Sequence, residues 1–249
     1  MVLIRDRPGG ADPDPGVEAL LLRRPASSVF APGAEVFPGG SVDPADRTSP
    51  WPAPVPALEV EVALLVAAVR ETFEECGVLL AWTRAGDPCP PGLARGLARL
   101  RKRIQAGHPE EFGAGLVEHG LEPAWEELRY CGHWVTPEGV PRIFDTRFFL
   151  ARLPAGQEAS PDLPGELEGL RWASPASALR EAEQGQTQLL PPTRGMLERL
   201  ARTSSAKAAW EASLSWPRQR VQPLLDQITA EHYPGLDPAA IHRSDGEEG

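Results

Sequence analysis

The sequence has little cysteine and no long apolar run. Three cysteines are too few and too irregularly spaced for a disulfide framework or a zinc site, and they indicate reduced thiols in a cytoplasmic protein: Cys76, Cys89 and Cys131. The longest purely apolar run, Val62 to Val69, is far too short to span a bilayer. The strand-like segment Met1 to Ile4 lacks the apolar stretch and cleavage site of a secretory signal. We therefore expect neither a membrane segment nor a secretion signal.

The chain also lacks an excess of basic residues. Its 249 residues include 25 Lys and Arg against 35 Asp and Glu, which gives a net charge of −10. A general nucleic-acid binder needs a basic footprint, so this balance argues against one. It favours a small polyanionic ligand that is met by local arginines and a bound metal ion. The oligomeric state is left open.

Three carboxylates lie on one side of a predicted helix in the segment Arg70 to Val78. Successive residues of an α-helix are 100° apart, so the apolar side chains of this helix gather on one face: Val62, Val66, Val69 and Phe73. The acidic side chains gather on the opposite face: Glu71, Glu74 and Glu75. Glu71 and Glu75 are four residues apart, a like-charge spacing that destabilises a helix by a few tenths of a kcal/mol. A bound Mg²⁺ or Mn²⁺ would relieve that repulsion, because hard cations take carboxylate oxygens. The pattern predicts a divalent-metal site.

The same segment resembles the signature of the Nudix hydrolases. That signature, called the box below, has the form Gly, five residues, Glu, seven residues, then Arg-Glu-aliphatic-any-Glu-Glu-any-Gly-aliphatic. Its second half matches at every fixed position, with Thr72 where an aliphatic residue is usual. Counted from Gly40, the first box glutamate is replaced by Asp46, and Arg70 follows about 16 residues later than in the signature. A proline-rich insertion at about residues 47–58 accounts for the difference.

With an insertion inside the box, the sequence resembles the coenzyme A diphosphatase branch of the family, which carries such an insertion and includes a mammalian peroxisomal member. The likeness extends over roughly residues 2–195 and includes segments on both sides of the box: Leu20 to Arg24, Val36-Phe37, Trp134, Thr136-Pro137, Phe144-Asp145-Thr146 and Leu190 to Pro192. The sequence suggests no role for Asp145.

The resemblance implies an α/β protein with the Nudix fold, a mixed β-sheet sandwiched between helices, and a C-terminal helical extension. We predict a Nudix domain over residues 1–202, with a helical insert at about 92–127, followed by a helical extension and polar tail over 203–249. Strands are expected near Val2 to Arg5, Glu18 to Arg23, Ala34 to Phe37, Val78 to Trp82, Leu128 to Val135, Arg142 to Leu153 and Gly169 to Trp172.

The resemblance also assigns the residues that would bind metal. Glu71, Glu74 and Glu75 are the implied carboxylate ligands of Mg²⁺ or Mn²⁺, and Glu71 is in addition the candidate base. The carbonyl of Gly39, in the turn Pro38-Gly39-Gly40, is a further ligand candidate, because glycine permits close approach of the backbone.

Arg70 is predicted to hold a box carboxylate in a bidentate pair, and it is placed with Glu71 among the catalytic residues. Some family members take a base or last ligand from a loop outside the box, which makes Glu166 and Glu168 candidates here.

Four residues are candidates for contact with the substrate. Arg24 and Arg142 are predicted to contact phosphate, and Trp134 is predicted to stack on an adenine or line its pocket. Phe37, next to the box turn, completes the predicted substrate-binding set.

The expected activity is hydrolysis of coenzyme A or acyl-coenzyme A to adenosine 3',5'-bisphosphate and 4'-phosphopantetheine. The alternatives are a Nudix pyrophosphatase that acts on NADH, ADP-ribose or another nucleoside diphosphate derivative, and a catalytically silent Nudix-fold binding module. The expected partner is therefore a small-molecule nucleotide diphosphate, with no nucleic acid and no membrane.

Overall fold

The computed structural model describes residues 1–8, 16–28, 31–48, 60–138, 143–161 and 167–223. Its nine strands in these residues are β1 Val2–Asp6, β2 Val17–Arg23, β3 Glu35–Val36, β4 Ala81–Thr83, β5 Leu121–Pro123, β6 Arg129–Val135, β7 Asp145–Arg152, β8 Gly169–Ala173 and β9 Arg220–Val221. The α-helices are α1 Val62–Cys76, α2 Pro91–Gly96, α3 Ala98–Gln105, α4 Glu111–Glu118, α5 Pro175–Glu183, α6 Pro191–Leu200 and α7 Ala206–Ala212. A 3-10 helix, Pro44–Thr48, lies between β3 and α1.

Seven of the strands form a mixed sheet. β1 pairs in parallel with β7 and antiparallel with β2, and β2 also pairs with β3 and β8. β6 lies between β7 and β9, antiparallel to the former and parallel to the latter. The remaining strands, β4 and β5, form a separate antiparallel pair.

Side chains of the buried strands alternate between two cores, as the period of 2 in a strand requires. The first core lies between the sheet and the helices α1 to α4, and it contains Leu3, Leu20, Leu22, Val69, Phe73, Phe112 and Phe149. The second core lies on the opposite face, against α5 to α7, and it contains Val2, Ile4, Leu21, Phe148, Met196, Leu197 and Ala209. Both faces are therefore covered by helices, which confirms the predicted α/β/α sandwich.

α7 completes the second core. Ser205 caps its start by accepting a hydrogen bond from the Ala208 backbone N–H at 3.0 Å, and the Ala206 N–H donates to Asp6 Oδ1 at 2.7 Å. Ala206 and Ala209 are buried against the sheet. The first helix of the predicted C-terminal extension thus packs directly on β1 and its neighbours.

α1 carries the predicted acidic face and ends as its sequence predicts. Gly77 adopts the left-handed conformation with φ of 69°, and its N–H donates to the Phe73 carbonyl at 2.9 Å. The chain then runs through Val78, Leu79 and Leu80 as buried irregular structure, and pairing begins only at Ala81. The strand predicted from Val78 is therefore shorter than expected, because the backbone N–H and C=O of Leu79 pair with the side-chain amide of Gln157 and not with a neighbouring strand.

Three short helices, α2 to α4, occupy the predicted helical insert. Of the predicted box insertion, residues 49–58 lie outside the part of the chain that the structure describes. Within the described ranges, no helix is both long and apolar enough to cross a membrane.

Candidate active site

Arg70 is the centre of a buried hydrogen-bond network. Its Nε and Nη2 donate to the two carboxylate oxygens of Asp46, each at 2.9 Å, in a bidentate pair. Its Nη1 donates to Glu71 Oε1 at 2.9 Å and to Glu74 Oε2 at 3.2 Å, and Nη2 also donates to the Ser41 carbonyl at 3.1 Å. The structure therefore shows the predicted bidentate pair, and it places Asp46 in the position of the missing first box glutamate.

The pair between Arg70 and Asp46 explains how the two halves of the box stay together despite the insertion between them. Asp46 belongs to the 3-10 helix before the insertion, and Arg70 belongs to α1 after it. Arg70 is 3% exposed and Asp46 is 2% exposed. The two ends of the insertion are thus joined by a buried ion pair, and Arg70 orients the box carboxylates.

The double-glycine turn brings the backbone next to two of the box glutamates. The Gly39 N–H donates to Glu75 Oε2 at 2.8 Å. A side-chain carbon on Gly40 would lie 2.5 Å from Glu71 Oε1 and 2.6 Å from its Oε2, a distance that no methyl group tolerates. The position therefore excludes every residue except glycine unless the Glu71 carboxylate moves.

Gly40→Ala is expected to weaken metal-dependent turnover without unfolding the protein, because the methyl group would displace the Glu71 carboxylate. We expect about a tenfold or larger loss of kcat/KM, the size typical of a misplaced catalytic group. The measurement is a titration of activity with Mg²⁺. Gly169→Ala is the matched control, because a side-chain carbon there meets no atom within 4 Å. Equal activity of the two variants would contradict the role given to Gly40.

The box carboxylates lie in an electrostatically unfavourable site. Burial raises the pKa of Glu75 to about 8, and the charges of Glu71 and Glu74 add to this rise, while the Gly39 N–H opposes it. Burial also raises the pKa of Glu71, against the lowering effect of Arg70. Burial would lower the pKa of Arg70, but its bonds to Asp46 and the charge of Glu71 raise it instead. The arginine is therefore always charged, and the acids exceed it in number.

A hard divalent cation fits this donor chemistry. The site combines an excess of carboxylate oxygens with a backbone turn that leaves room for their approach. Water would complete the coordination of an ion that these carboxylates hold, as is common for Mg²⁺. Glu75 and Glu71 are the box carboxylates that the turn approaches, and the Gly39 carbonyl stays a predicted ligand.

Arg101 supports the box helix in a way that the sequence did not indicate. The basic run from Arg95 to Arg103 is typical of a solvated helix face, but Arg101 is only 7% exposed. Its guanidinium donates to the carbonyls of Glu74 and Glu75, each at 2.9 Å, at the C-terminal end of α1. A cation there satisfies carbonyls that have no partner within the helix. The helical insert thus holds the carboxylate-bearing turn in place.

Two of the predicted substrate-binding residues lie in the second core, on the face of the sheet opposite to α1. Phe37 is 7% exposed and packs edge-on against Phe148, with ring centroids 6.4 Å apart. Trp134 packs in the same core. The structure therefore does not bring Phe37 and Trp134 to the box carboxylates.

A β-bulge explains the position of Trp134. Tyr130 packs against the first core, and strict alternation would place Trp134 on that same face. The register of β6 shifts between Tyr130 and Gly132, so that Cys131 is an extra residue. One extra residue reverses the facing of every residue that follows it. His133 therefore faces the α1 side, and Trp134 faces away.

Of the other four candidate site residues, the structure describes two, Arg24 and Glu168. Arg24 follows β2 at the sheet end that carries the box turn, and its N–H donates to the Ala34 carbonyl at 3.0 Å. Glu168 lies nearby but accepts from the Ala26 N–H at 2.8 Å and approaches Arg23 at 3.9 Å. Within the described residues, its side chain forms no hydrogen bond or ion pair with a box residue. Arg142 and Glu166 lie outside the described residues.

All three cysteines are buried and free. Burial raises the pKa of Cys76, which lies beside the box glutamates, and the charge of Glu75 raises it further. This thiol is therefore a packing group and not a reactive one.

A mixed sheet between two helical layers, with a carboxylate-bearing helix against a double-glycine turn, is the arrangement of a Nudix hydrolase. Comparison with known proteins agrees: residues 52–200 match the family described as the NUDT19 Nudix domain. A crystal structure of a NUDIX hydrolase from Alicyclobacillus acidocaldarius has a TM-score of 0.66 and 30% identity, and covers 88% of this chain and 95% of that chain.

Two vertebrate relatives are also similar in sequence. The human acyl-coenzyme A diphosphatase NUDT19 is 34% identical over 242 residues, which cover 80% of this chain and 64% of the human protein. The Gallus gallus protein of the same name is 29% identical over 256 residues, which cover 82% of this chain and 68% of that protein. The chain belongs to the Nudix hydrolase family, in the group defined by the NUDT19 Nudix domain.

Proposed function

We propose that this chain hydrolyses the diphosphate linkage of coenzyme A or acyl-coenzyme A in the presence of Mg²⁺ or Mn²⁺. The observation that carries the proposal is the hydrogen-bond network of the box, in which Arg70 donates to Asp46, Glu71 and Glu74 and the Gly39 N–H donates to Glu75. The names of the human and chicken relatives support acyl-coenzyme A as the substrate class. The products are adenosine 3',5'-bisphosphate and 4'-phosphopantetheine or its acyl derivative.

In this reaction a water oxygen bonds to one phosphorus, and the bond from that phosphorus to the bridging oxygen breaks. A bound Mg²⁺ or Mn²⁺ would neutralise charge on the non-bridging oxygens. Glu71 and Glu75 would hold the ion, and Arg70 keeps the carboxylate of Glu71 in place. By the family resemblance, Glu71 is also the candidate base that accepts a proton from the attacking water.

A substrate screen tests the proposal. Purified protein with Mg²⁺ is given coenzyme A, acetyl-coenzyme A, NADH, ADP-ribose and nucleoside triphosphates, and released phosphomonoester is measured. We expect the coenzyme A compounds to give the highest kcat/KM. Efficient cleavage of NADH or ADP-ribose with coenzyme A left intact would show that the enzyme is a pyrophosphatase of other nucleoside diphosphate derivatives. Absence of turnover with every compound would favour a silent binding module.

The family relationship leaves the place of action open. The three buried thiols are consistent with a reducing compartment, and a cytoplasmic location stays a prediction. Fractionation of cells that express the tagged full-length protein is the measurement that tests it.

A further inference from the structure

Three polar residues of β6 and β7 lie on the face of the sheet that carries the box helix. His133 pairs with Arg147 in the β6–β7 register, and directly opposite residues share a face. Phe149 belongs to the first core, and the alternation of β7 puts Arg147 and Asp145 on the same side as Phe149. His133, Asp145 and Arg147 therefore face the α1 side of the sheet.

These residues also lie at the end of the sheet that carries the box. β7 runs parallel to β1, and Leu150 pairs with Val2. The start of β1 lies at the box turn, since the Met1 amine donates to the Pro38 carbonyl. Arg147 precedes Leu150 by three residues, so standard strand spacings place its Cα about 10 Å beyond the level of Val2 along the strands. A substrate that extended this far from the box would come within reach of the Arg147 side chain.

Asp145 holds the other two side chains. Its Oδ1 is 2.6 Å from His133 Nε2, and it accepts a hydrogen bond from Arg147 Nη1. Burial would raise the pKa of Asp145, but its bonds to Arg147 and His133 lower it. The carboxylate therefore remains charged and keeps the guanidinium in a fixed orientation.

This anchoring leaves one edge of the guanidinium open. Arg147 uses Nη1 for Asp145, and among the described residues none accepts a hydrogen bond from its Nε or Nη2. The Arg147 side chain is 27% exposed. The Nε and Nη2 edge of an arginine matches two oxygens of a phosphate, and a guanidinium that is already oriented loses less entropy when it binds them.

We propose that Arg147, positioned by Asp145 and His133, binds a phosphate monoester of the substrate that is separate from the scissile diphosphate. If the proposed function is right, this group is the 3'-phosphate of coenzyme A. The scissile diphosphate is met at the box, whereas Arg147 lies farther out on the same side of the sheet. The arrangement gives a role to the Phe144-Asp145-Thr146 motif, for which the sequence suggested none.

The test compares coenzyme A with 3'-dephospho-coenzyme A, which has the same diphosphate linkage. Arg147→Ala is expected to lower kcat/KM for coenzyme A by about 10- to 100-fold, the usual effect of losing a hydrogen bond between charged groups. Turnover of the dephospho compound should change less than about twofold, within the range of a surface substitution. Arg147→Lys keeps the charge but not the paired N–H donors of the guanidinium, so its kcat/KM for coenzyme A should lie between those of the wild type and Arg147→Ala. Asp145→Asn should show the same substrate selectivity with a smaller loss.

Arg152→Ala is the matched control. Arg152 ends the same strand and pairs with Glu127 at 3.1 Å, but it lies at the opposite end of the sheet from the box. Arg152→Ala should leave the ratio of kcat/KM for coenzyme A to kcat/KM for 3'-dephospho-coenzyme A unchanged. Equal losses on both substrates in Arg147→Ala, or no loss on either, would overturn the proposal.

A binding measurement separates this inference from the proposed function. Calorimetry without metal should show that Arg147→Ala weakens binding of adenosine 3',5'-bisphosphate and leaves binding of 5'-AMP unchanged. If the wild type cleaves neither coenzyme A nor its dephospho form, the proposed function is wrong, and the calorimetric comparison still decides the phosphate site. Equal affinities of wild type and variant for the bisphosphate would reject that site.

Discussion

Glu75→Gln is expected to lower kcat by at least about 100-fold at saturating Mg²⁺, which is the scale on which catalytic carboxylates act. The amide oxygen of glutamine can still accept the Gly39 N–H that Glu75 accepts at 2.8 Å, so the turn should keep its conformation. What is lost is the negative charge that a divalent cation requires from its ligands. The measurement is steady-state hydrolysis of the best substrate from the screen.

The same variant gives a second readout that does not depend on turnover. A ligand that binds only the folded state raises its thermal midpoint, so Mg²⁺ with a nonhydrolysed product should stabilise the wild type more than Glu75→Gln. Glu211→Gln is the control, since Glu211 is an exposed residue that pairs with Lys207 on α7, on the opposite face of the sheet from the box. Wild-type kcat in Glu75→Gln would show that another group forms the active centre.

Arg70→Ala is expected to have the largest effect on stability. It would leave the carboxylate of Asp46 buried with neither of its two hydrogen bonds from the guanidinium, and would remove the donor that Glu71 and Glu74 share. Removal of one partner from a buried ion pair typically costs about 3–5 kcal/mol. The free energy of unfolding, measured in urea without metal, should fall by about that amount.

Two further variants make the reason for this loss specific. Arg103→Ala removes an exposed arginine that pairs with Glu111 at 2.6 Å, and the urea midpoint should stay close to that of the wild type. Arg70→Lys keeps the charge but cannot form the bidentate pair with Asp46, so its stability should lie between wild type and Arg70→Ala. If Arg70→Ala were as stable as Arg103→Ala, the buried network would not hold the two ends of the insertion together.

The acidic face of α1 could be predicted because it depends only on local geometry. Residues three and four apart lie on one side of any α-helix, so Glu71, Glu74 and Glu75 are neighbours in whatever fold contains that helix. The end of α1 was predictable for the same reason, since Gly77 supplies the left-handed conformation that stops the helix. The layered fold followed from the family resemblance, and the two cores confirm it.

The partner of Arg70 depended on a contact between distant parts of the chain. In the sequence Asp46 was only a departure from the box, separated from Arg70 by the insertion. In the structure the two form a bidentate pair with both distances at 2.9 Å. Arg101 is a similar case, because a basic residue on an amphipathic helix can face either solvent or the carbonyl end of a neighbouring helix. No local pattern distinguishes these two environments.

The sequence by itself determined the carboxylates of the box, the glycine turn and the strand and helix periods, because short-range stereochemistry fixes each of them. Only the tertiary structure decided which residues face the box across the sheet. A single extra residue at Cys131 reverses which face of the sheet the later side chains of β6 point to, so that Trp134 faces the second core and His133 faces the box side. Such a bulge is set by strand pairing with β7 and by packing on both faces, so the amino-acid pattern of β6 alone does not contain it.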